Sequence, residues 1–309
     1  MNETDSLLPL LPTFLTAYHN LTEPYPVFKD SKSRSLISDE EYGRIERYIT
    51  EVFLSFAPEK KESFASDDDA LRYAVNTYLA PNTLCRTKYC ENALKTSFQT
   101  GTAQYVILGA GFDTFAIRER SLTEKHETFE VDRRLTQEDK RRRLARAGES
   151  LPENLFFVTA DLGKDSLRDK LLLSGFDTKK KTFFSLPGAF YHLYRDDTEK
   201  ILAEIADTAA DGSTLLFDFA DQGLFLSEEP RTAAGIEAAN KAGMELRSGY
   251  DTLSLDMMLS EYGFMIYELL TPPDIQKTLI DPTGDEMKAF GHINYVQAVF
   301  KKRSEFFKI

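Results

Sequence analysis

The segment Gly109-Ala110-Gly111 stands directly between an apolar run, residues 105–108, and the start of a helix at Thr114. Glycine at such a turn lets a ligand approach the backbone, since any Cβ would hold it away. In a doubly wound α/β sheet, the turn after a buried strand is where a mononucleotide binds. The spacing therefore indicates a nucleoside-binding turn.

The residues after this turn discriminate between two kinds of ligand. A dinucleotide site favours a third glycine, which allows close packing of helix and strand around a pyrophosphate, but this chain has Thr114 there. Asp113 lies beside the helix N-terminus, and its carboxylate would repel a diphosphate. It suits a cationic ligand without phosphate, such as S-adenosylmethionine (SAM). A reductase would also need a Tyr-x-x-x-Lys pair, whereas Tyr194 is followed four residues later by Thr198.

Acidic residues follow the next two apolar runs. Glu130 and Asp132 close the second run, where a carboxylate can accept hydrogen bonds from both ribose hydroxyls. Strand alternation puts both on one side, so periodicity does not choose between them. After the third run, Asp161 can meet an adenine amino group while Leu162 packs on the ring. Capping of the following helix is the alternative role for these acids.

From about residue 104 onward, short apolar runs alternate with helical segments. Strands are predicted at 105–108, 128–131, 155–158, 182–186, 213–219, 264–267 and 293–300. This alternation predicts a doubly wound α/β fold with a mostly parallel seven-stranded sheet. No helix is predicted in the turn-rich segment 271–285, so the last strand is expected to be antiparallel.

The first hundred residues are predicted to form a helical N-terminal extension. Ser38 and the acids after it begin one helix, which ends before Pro58. A second helix is predicted from residue 66 to Pro81, and a third from about 83 to 99. We expect the extension, 1–100, to form one structural unit with a SAM-binding domain over 101–309. The segment 222–250 is long enough to act as a lid over the acceptor site.

The charge balance bears on possible partners. The 309 residues include 38 Lys plus Arg and 50 Asp plus Glu, for a net charge of −12. A nucleic-acid-binding surface would have to be basic, so no nucleic-acid partner is expected. The basic cluster 140–143 shares its helix with Glu138 and Asp139 and is interpreted as a solvated outer face.

Cysteine content and the N-terminus bear on location. Cys85 and Cys90 are too few for a disulfide-built secreted domain or a structural zinc site, so reduced thiols and no metal are expected. The uncharged run 6–22 contains two prolines and makes a poor membrane span. The N-terminus is acidic where a secretory signal would be basic. These features predict a cytoplasmic protein without a membrane partner.

Residues 105–118, YVILGAGFDTFAIR, resemble the glycine motif of the leucine carboxyl methyltransferase family. The family comprises class I SAM-dependent enzymes, among them protein phosphatase methyltransferases and bacterial polyketide O-methyltransferases. Residues 129–132 resemble its second motif, 160–162 its third, and 27–36 its N-terminal entry. The resemblance spans about residues 27–300 and implies a Rossmann-like class I methyltransferase fold with SAM as cofactor.

Roles follow from the resemblance position by position. The turn Gly109-Ala110-Gly111 would contact SAM, with Gly109 at the methionine portion. Asp132 would bind the ribose, which favours it over Glu130, and Asp161-Leu162 would bracket the adenine. Arg86 matches a family arginine that pairs with the SAM carboxylate.

One departure from the family concerns the end of the fourth strand. Many members have Glu-Gly or Glu-Cys there, followed by a tyrosine, whereas this chain has Pro187-Gly188 and places His192 near the tyrosine position. Pro187 cannot replace a carboxylate that binds the cofactor amino group, so that contact must come from elsewhere or be lost. His192 is the candidate general base for a hydroxyl acceptor, with a locally satisfied histidine as the alternative.

The acceptor pocket should be roofed by the N-terminal helices and the segment 222–250. Tyr18, Tyr25 and Tyr191 are candidates to line it, with ordinary core positions as the alternative. The sequence thus predicts a SAM-dependent O-methyltransferase acting on a carboxylate or hydroxyl of a small molecule. The alternatives are a non-catalytic SAM-binding protein, which Pro187 makes credible, and an NAD-dependent oxidoreductase.

Overall fold

A computed structural model describes residues 7–241 and 244–302. Parts of the predicted extension (1–6), lid (242–243) and C-terminal tail (303–309) lie outside the described residues. Within those residues, no helix combines the length and the apolar character needed to cross a bilayer.

In the part of the chain that the structure describes, seven strands form a single sheet. They are β1 Gln104–Leu108, β2 Glu127–Asp132, β3 Leu155–Thr159, β4 Thr182–Leu186, β5 Thr214–Ala220, β6 Phe264–Leu270 and β7 Ile293–Phe300. The order across the sheet is β3-β2-β1-β4-β5-β7-β6. Strands β1 to β5 are parallel, and β7 runs antiparallel to both β5 and β6. The predicted mixed sheet with an antiparallel last strand is confirmed.

Helices cover both faces of the sheet. They are α1 Leu11–Thr22, α2 Asp39–Phe56, α3 Asp67–Ala74, α4 Ala80–Gln99, α5 Phe115–Arg118, α6 Arg120–Thr123, α7 Arg134–Arg146, α8 Leu167–Leu173, α9 Arg195–Thr208, α10 Pro230–Lys241, α11 Thr252–Glu261 and α12 Pro272–Ile275. Alternate residues of β1 enter two cores: Tyr105 and Ile107 pack with the N-terminal helices, and Val106 and Leu108 pack with α8, α9 and α11. This two-sided burial explains why the central strands are continuous apolar runs.

Two segments are more helical than predicted. The chain continues from α3 through a π-helical turn, Val75–Leu79, into α4, so the predicted break at Pro81 is wrong. Pro81 lies in the first turn of α4, directly after the π-helical turn, a position at which proline does not stop the helix. The segment 271–285 also contains a helix, α12, because Asp274 and Thr271 form a capping box at its start.

The basic cluster 140–143 is not a uniformly solvated face, as predicted, but is split between inside and outside. Lys140 and Arg143 are buried, while the two residues between them are exposed. Arg143 donates to the Leu36 carbonyl at 3.0 Å and to Glu41 Oε1 at 2.6 Å. These contacts hold the segment at the start of α2 against α7. The sequence could not show them because their partners lie about a hundred residues away.

Glu41 gives this contact a pH dependence. Hydrogen bonds from Arg143 and from Ser38 hold the pKa of Glu41 at about 2. The contribution to stability is therefore complete above about pH 4.5 and is lost as pH falls toward 2. We expect Glu41→Gln to lower the melting temperature at pH 7 and to lose less stability than wild type between pH 4.5 and 2, by circular dichroism. Glu40→Gln, at an exposed neighbour, is the control; matching acid profiles of Glu41→Gln and wild type would contradict this.

Candidate active site

The glycine turn is hydrogen-bonded to the carboxyl end of β2. Gly109 and Gly111 have φ values of +71° and +49°, which L side chains rarely adopt. The N–H groups of Gly109 and Ala110 donate to the Val131 carbonyl at 2.9 and 3.1 Å. A Cβ at Gly109 would meet no atom within 4 Å, so open space lies over the turn. Asp113 accepts the Phe115 N–H at 2.7 Å and so holds the start of α5.

The two acids of β2 differ in environment. Asp132 is half-buried and accepts the N–H groups of Gly111 and Arg133, each at 2.7 Å. Glu130 is 1% exposed, and its Oε2 lies 2.5 Å from Lys140 Nζ. Burial raises the pKa of Glu130 to about 7, although Lys140 opposes the shift. Glu130 is therefore corrected from cofactor candidate to buried ion-pair partner, and Asp132 alone stands at the turn.

Asp161 and Leu162 follow β3 at the same edge of the sheet. The alternative of helix capping is wrong for Asp161, because α8 begins only at Leu167 and Ser166 is its N-cap. Asp161 instead lies partly exposed, with Oδ2 2.7 Å from Lys164 Nζ. Leu162 is half-buried and packs on the core beneath it. A carboxylate and an apolar side chain thus remain available beside the glycine turn.

A cluster of polar groups, here called the polar cluster, lies at the ends of β4 and β5. It consists of Asn82 and Arg86 of α4, Gly188, Tyr191 and Asp218. Asp218 Oδ1 accepts the Gly188 N–H at 2.5 Å, and Oδ2 accepts the Tyr191 hydroxyl at 3.1 Å. Oδ2 also lies 3.3 Å from Asn82 Nδ2 and 3.4 Å from Arg86 Nη1.

Arg86 and Tyr191 are among the residues predicted from the sequence, but Asp218 is not. The sequence feature that points to Asp218 is a single acid inside the largely apolar strand β5, since a buried charged residue must have partners. Gly188 has a φ of +71°, and a Cβ there would overlap the Arg86 guanidinium. The glycine after Pro187 is therefore needed for the arginine to reach this edge.

A cavity of about 580 Å³ opens beside the polar cluster. Its apolar wall includes Leu11 and Leu15 of α1, Ile49 and Phe53 of α2, Ile236 of α10, and Phe290. Asn82, Arg86, Tyr191 and His192 line its polar end. The N-terminal helices and the segment 222–250 thus both contribute walls to this cavity.

The three tyrosines proposed for the pocket have different environments. Tyr191 lines the cavity, but its hydroxyl belongs to the polar cluster. Tyr18 is buried against Phe14, with ring centroids 5.7 Å apart, in the core of the N-terminal helices. Tyr25 is 66% exposed in the loop after α1. Neither Tyr18 nor Tyr25 is among the residues that line this cavity.

His192 lies at the polar end of the cavity. Its Nδ1 is 2.9 Å from the Glu245 carbonyl, which can only accept, so Nδ1 carries the proton. Nε2 is therefore unprotonated, and its lone pair can accept a proton. Burial lowers the pKa of His192 below its usual 6.5, so the ring is neutral at neutral pH. The alternative of a locally satisfied histidine holds for one ring nitrogen only.

Comparison with known proteins identifies relatives across the whole chain. The leucine carboxyl methyltransferase family matches residues 10–206. A Bacillus subtilis protein named "Putative S-adenosyl-L-methionine-dependent methyltransferase YktD" is 33% identical over 96% of this chain and 98% of its own length. A Parafrankia protein of the same named class is 32% identical, over 48% of this chain and 46% of its own length.

Solved structures share the fold. A DUF574 family protein from Streptomyces avermitilis matches 82% of this chain and 97% of its own, with a TM-score of 0.55 and 12% identity. A Nostoc punctiforme protein titled a putative O-methyltransferase matches 90% of this chain and 77% of its own, with a TM-score of 0.50 and 14% identity. The family match and the Bacillus subtilis relative support the predicted SAM-dependent enzyme over the NAD-dependent alternative. The chain belongs to the leucine carboxyl methyltransferase family and is a SAM-dependent methyltransferase.

Proposed function

We propose that this enzyme methylates an oxygen atom, of a hydroxyl or a carboxylate, on a small and largely apolar molecule. The observation that carries the proposal is the cavity of about 580 Å³, which has apolar walls and a polar end at the edge of the sheet. Its volume falls within the roughly 300–1,000 Å³ that small-molecule sites usually have. An acceptor can bury its apolar body there and present one polar group at the end.

The residues at the glycine turn fit SAM. The turn leaves open space over Gly109, and a carboxylate stands at the end of each of the two strands that follow. We assign the methionine portion to Gly109 and Arg86, the ribose to Asp132, and the adenine to Asp161-Leu162. SAM supplies an electrophilic methyl group on a sulfonium. The chain positions the acceptor oxygen in line with it, which is a large part of the catalysis in such displacements.

Removal of the Asp132 carboxylate should weaken SAM binding. A charge-assisted hydrogen bond contributes about 1.5–3 kcal/mol, so the loss of even one of the two ribose contacts predicts that Asp132→Ala raises the SAM Kd by at least roughly 10- to 100-fold. Isothermal titration calorimetry measures this. Glu138→Ala, on the exposed side of α7, is the control. Equal affinities of Asp132→Ala and wild type would remove the ribose assignment.

His192 suits the role of general base for a hydroxyl acceptor. It lines the polar end of the cavity, it is neutral near pH 7, and its Nε2 carries a free lone pair. Abstraction of the hydroxyl proton at Nε2 would strengthen the oxygen nucleophile as it attacks the methyl group. A carboxylate acceptor is already ionised and needs no such base.

Transfer of label from [methyl-³H]SAM to a panel of acceptors tests the proposal. The panel pairs apolar phenols and aryl carboxylic acids with polar compounds that carry the same groups, and it includes apolar amines. We expect label in the apolar members, recovered as ethers or esters. Label in amines alone would contradict oxygen as the acceptor atom. SAM binding without transfer to any member would favour the non-catalytic alternative.

A further inference from the structure

We propose that Asp218 is a positioning residue that supplies, from β5, the negative charge which Pro187 cannot supply from the end of β4. Through Arg86 it sets the charge of the site that receives SAM. The inference rests on the cofactor assignment under the proposed function. Its ground is the polar cluster, in which one buried carboxylate meets four donors.

The hydrogen bonds define the charge of Asp218. Its side chain is 1% exposed, and its contacts in the cluster come from donor groups: a backbone N–H, a hydroxyl, an amide NH₂ and a guanidinium. A protonated carboxyl would need an acceptor for its own proton. The carboxylate is therefore ionised, and it neutralises Arg86, whose guanidinium stays charged at any working pH.

Tyr191 completes the arrangement. Its hydroxyl donates to Asp218 and accepts from Arg86 Nη1 at 2.8 Å and from Asn82 Nδ2 at 3.2 Å. One donor and two lone pairs are thereby used, so the hydroxyl direction is fixed. Among the described residues, the hydrogen bonds of Arg86 are made by Nη1 alone. The other guanidinium N–H groups are left for an anion at the cavity, such as the carboxylate of SAM.

The net charge of the ligand explains why this matters. SAM carries an ammonium, a sulfonium and a carboxylate, for a net charge of +1, whereas S-adenosylhomocysteine (SAH) lacks the sulfonium charge and is neutral. With Asp218 ionised, the Arg86–Asp218 pair is neutral and accepts either ligand. Without that carboxylate, a half-buried guanidinium would repel the sulfonium of SAM, because charges interact strongly in a poorly solvated site. SAH would not feel this repulsion.

The ratio of SAM to SAH affinity tests the proposal, and calorimetry measures it without turnover. We expect Asp218→Asn to weaken SAM by about tenfold more than SAH. Asp221→Asn is the matched control, since this acid follows the same strand and pairs with His292 at 3.0 Å, and neither residue lines the cavity. It should leave the ratio unchanged. Equal weakening of both ligands by Asp218→Asn would reduce Asp218 to a structural residue and overturn the proposal.

Arg86→Gln keeps the proposal testable if Asp218→Asn fails to fold. Loss of the guanidinium removes a contact to the carboxylate that both ligands carry, but it leaves Asp218 unneutralised. The ratio of SAM affinity to SAH affinity should then rise several-fold, whereas Asp218→Asn should lower it. A shift toward SAH would overturn the proposal. Failure of wild type to bind either ligand would instead refute the cofactor assignment beneath it.

Discussion

Replacement of His192 by asparagine should lower kcat for a phenolic acceptor by roughly 10²- to 10⁴-fold, the usual contribution of a general base. Asparagine can still donate to the Glu245 carbonyl, so the local hydrogen bond survives while the proton acceptor is lost. SAM affinity should stay at the wild-type value. The loss should vanish with a carboxylic acid acceptor, which needs no base. A single-turnover assay with both acceptors separates the two cases.

The pH profile gives an independent check on His192. Burial lowers its pKa, so the neutral base persists below the usual 6.5, and kcat should be level from pH 7 down to about 6.5 before it falls. His126→Asn is the control. That ring stacks on Phe98, with ring centroids 3.8 Å apart, and it precedes β2, at the end of the sheet opposite the glycine turn. An unchanged kcat in His192→Asn with phenols would contradict the assignment, as would a falling limb centred well above pH 7.

Lys140→Met should cost about 3–5 kcal/mol of unfolding free energy, the range for breaking a buried ion pair from one side. The reason is that the Glu130 carboxylate, 1% exposed, would keep its burial and lose its cation. Urea denaturation at pH 8 measures the effect, because the Glu130 of the wild type, whose pKa is about 7, is then mostly ionised, and loss of Lys140 raises that pKa further. The loss should be smaller at pH 5.5, where protonation removes the buried charge.

Two further variants separate the buried charge from simple truncation. Glu130→Leu combined with Lys140→Met removes both charges and should recover much of the lost stability. Arg142→Met, on the exposed side of the same helix, should change stability by less than about 0.5 kcal/mol. Equal small losses in Lys140→Met and Arg142→Met would contradict a buried, energetically important pair.

The sequence predicts the sheet well because its signals are local. Strands β1, β4 and β5 are largely apolar and buried along their whole length, and a turn and a helical segment follow each parallel strand. The helical content around Pro81 and residues 271–285 escapes prediction because proline is harmless in a first turn. The distinction of Asp132 from Glu130 also needs the structure, since strand alternation puts both on one side and only burial separates them.

The parts of the site that escape prediction depend on partners distant in sequence. Asp218 is one acid in an apolar strand until Arg86, 132 positions earlier, and Tyr191, 27 positions earlier, are brought to it. Tyr18 and Tyr25 lie in the region that does roof the cavity, yet one packs inward and the other faces solvent. Side-chain direction on the roofing elements is set by tertiary packing, which the sequence pattern of one element does not encode.

Calorimetric titration of the wild-type protein with SAM, and separately with NADH, tests the central claim most directly. The glycine turn, the carboxylates at the ends of β2 and β3, and Arg86 predict one SAM bound per chain and no heat from NADH. Binding of NADH without binding of SAM would contradict the assignment of this edge of the sheet as a SAM site.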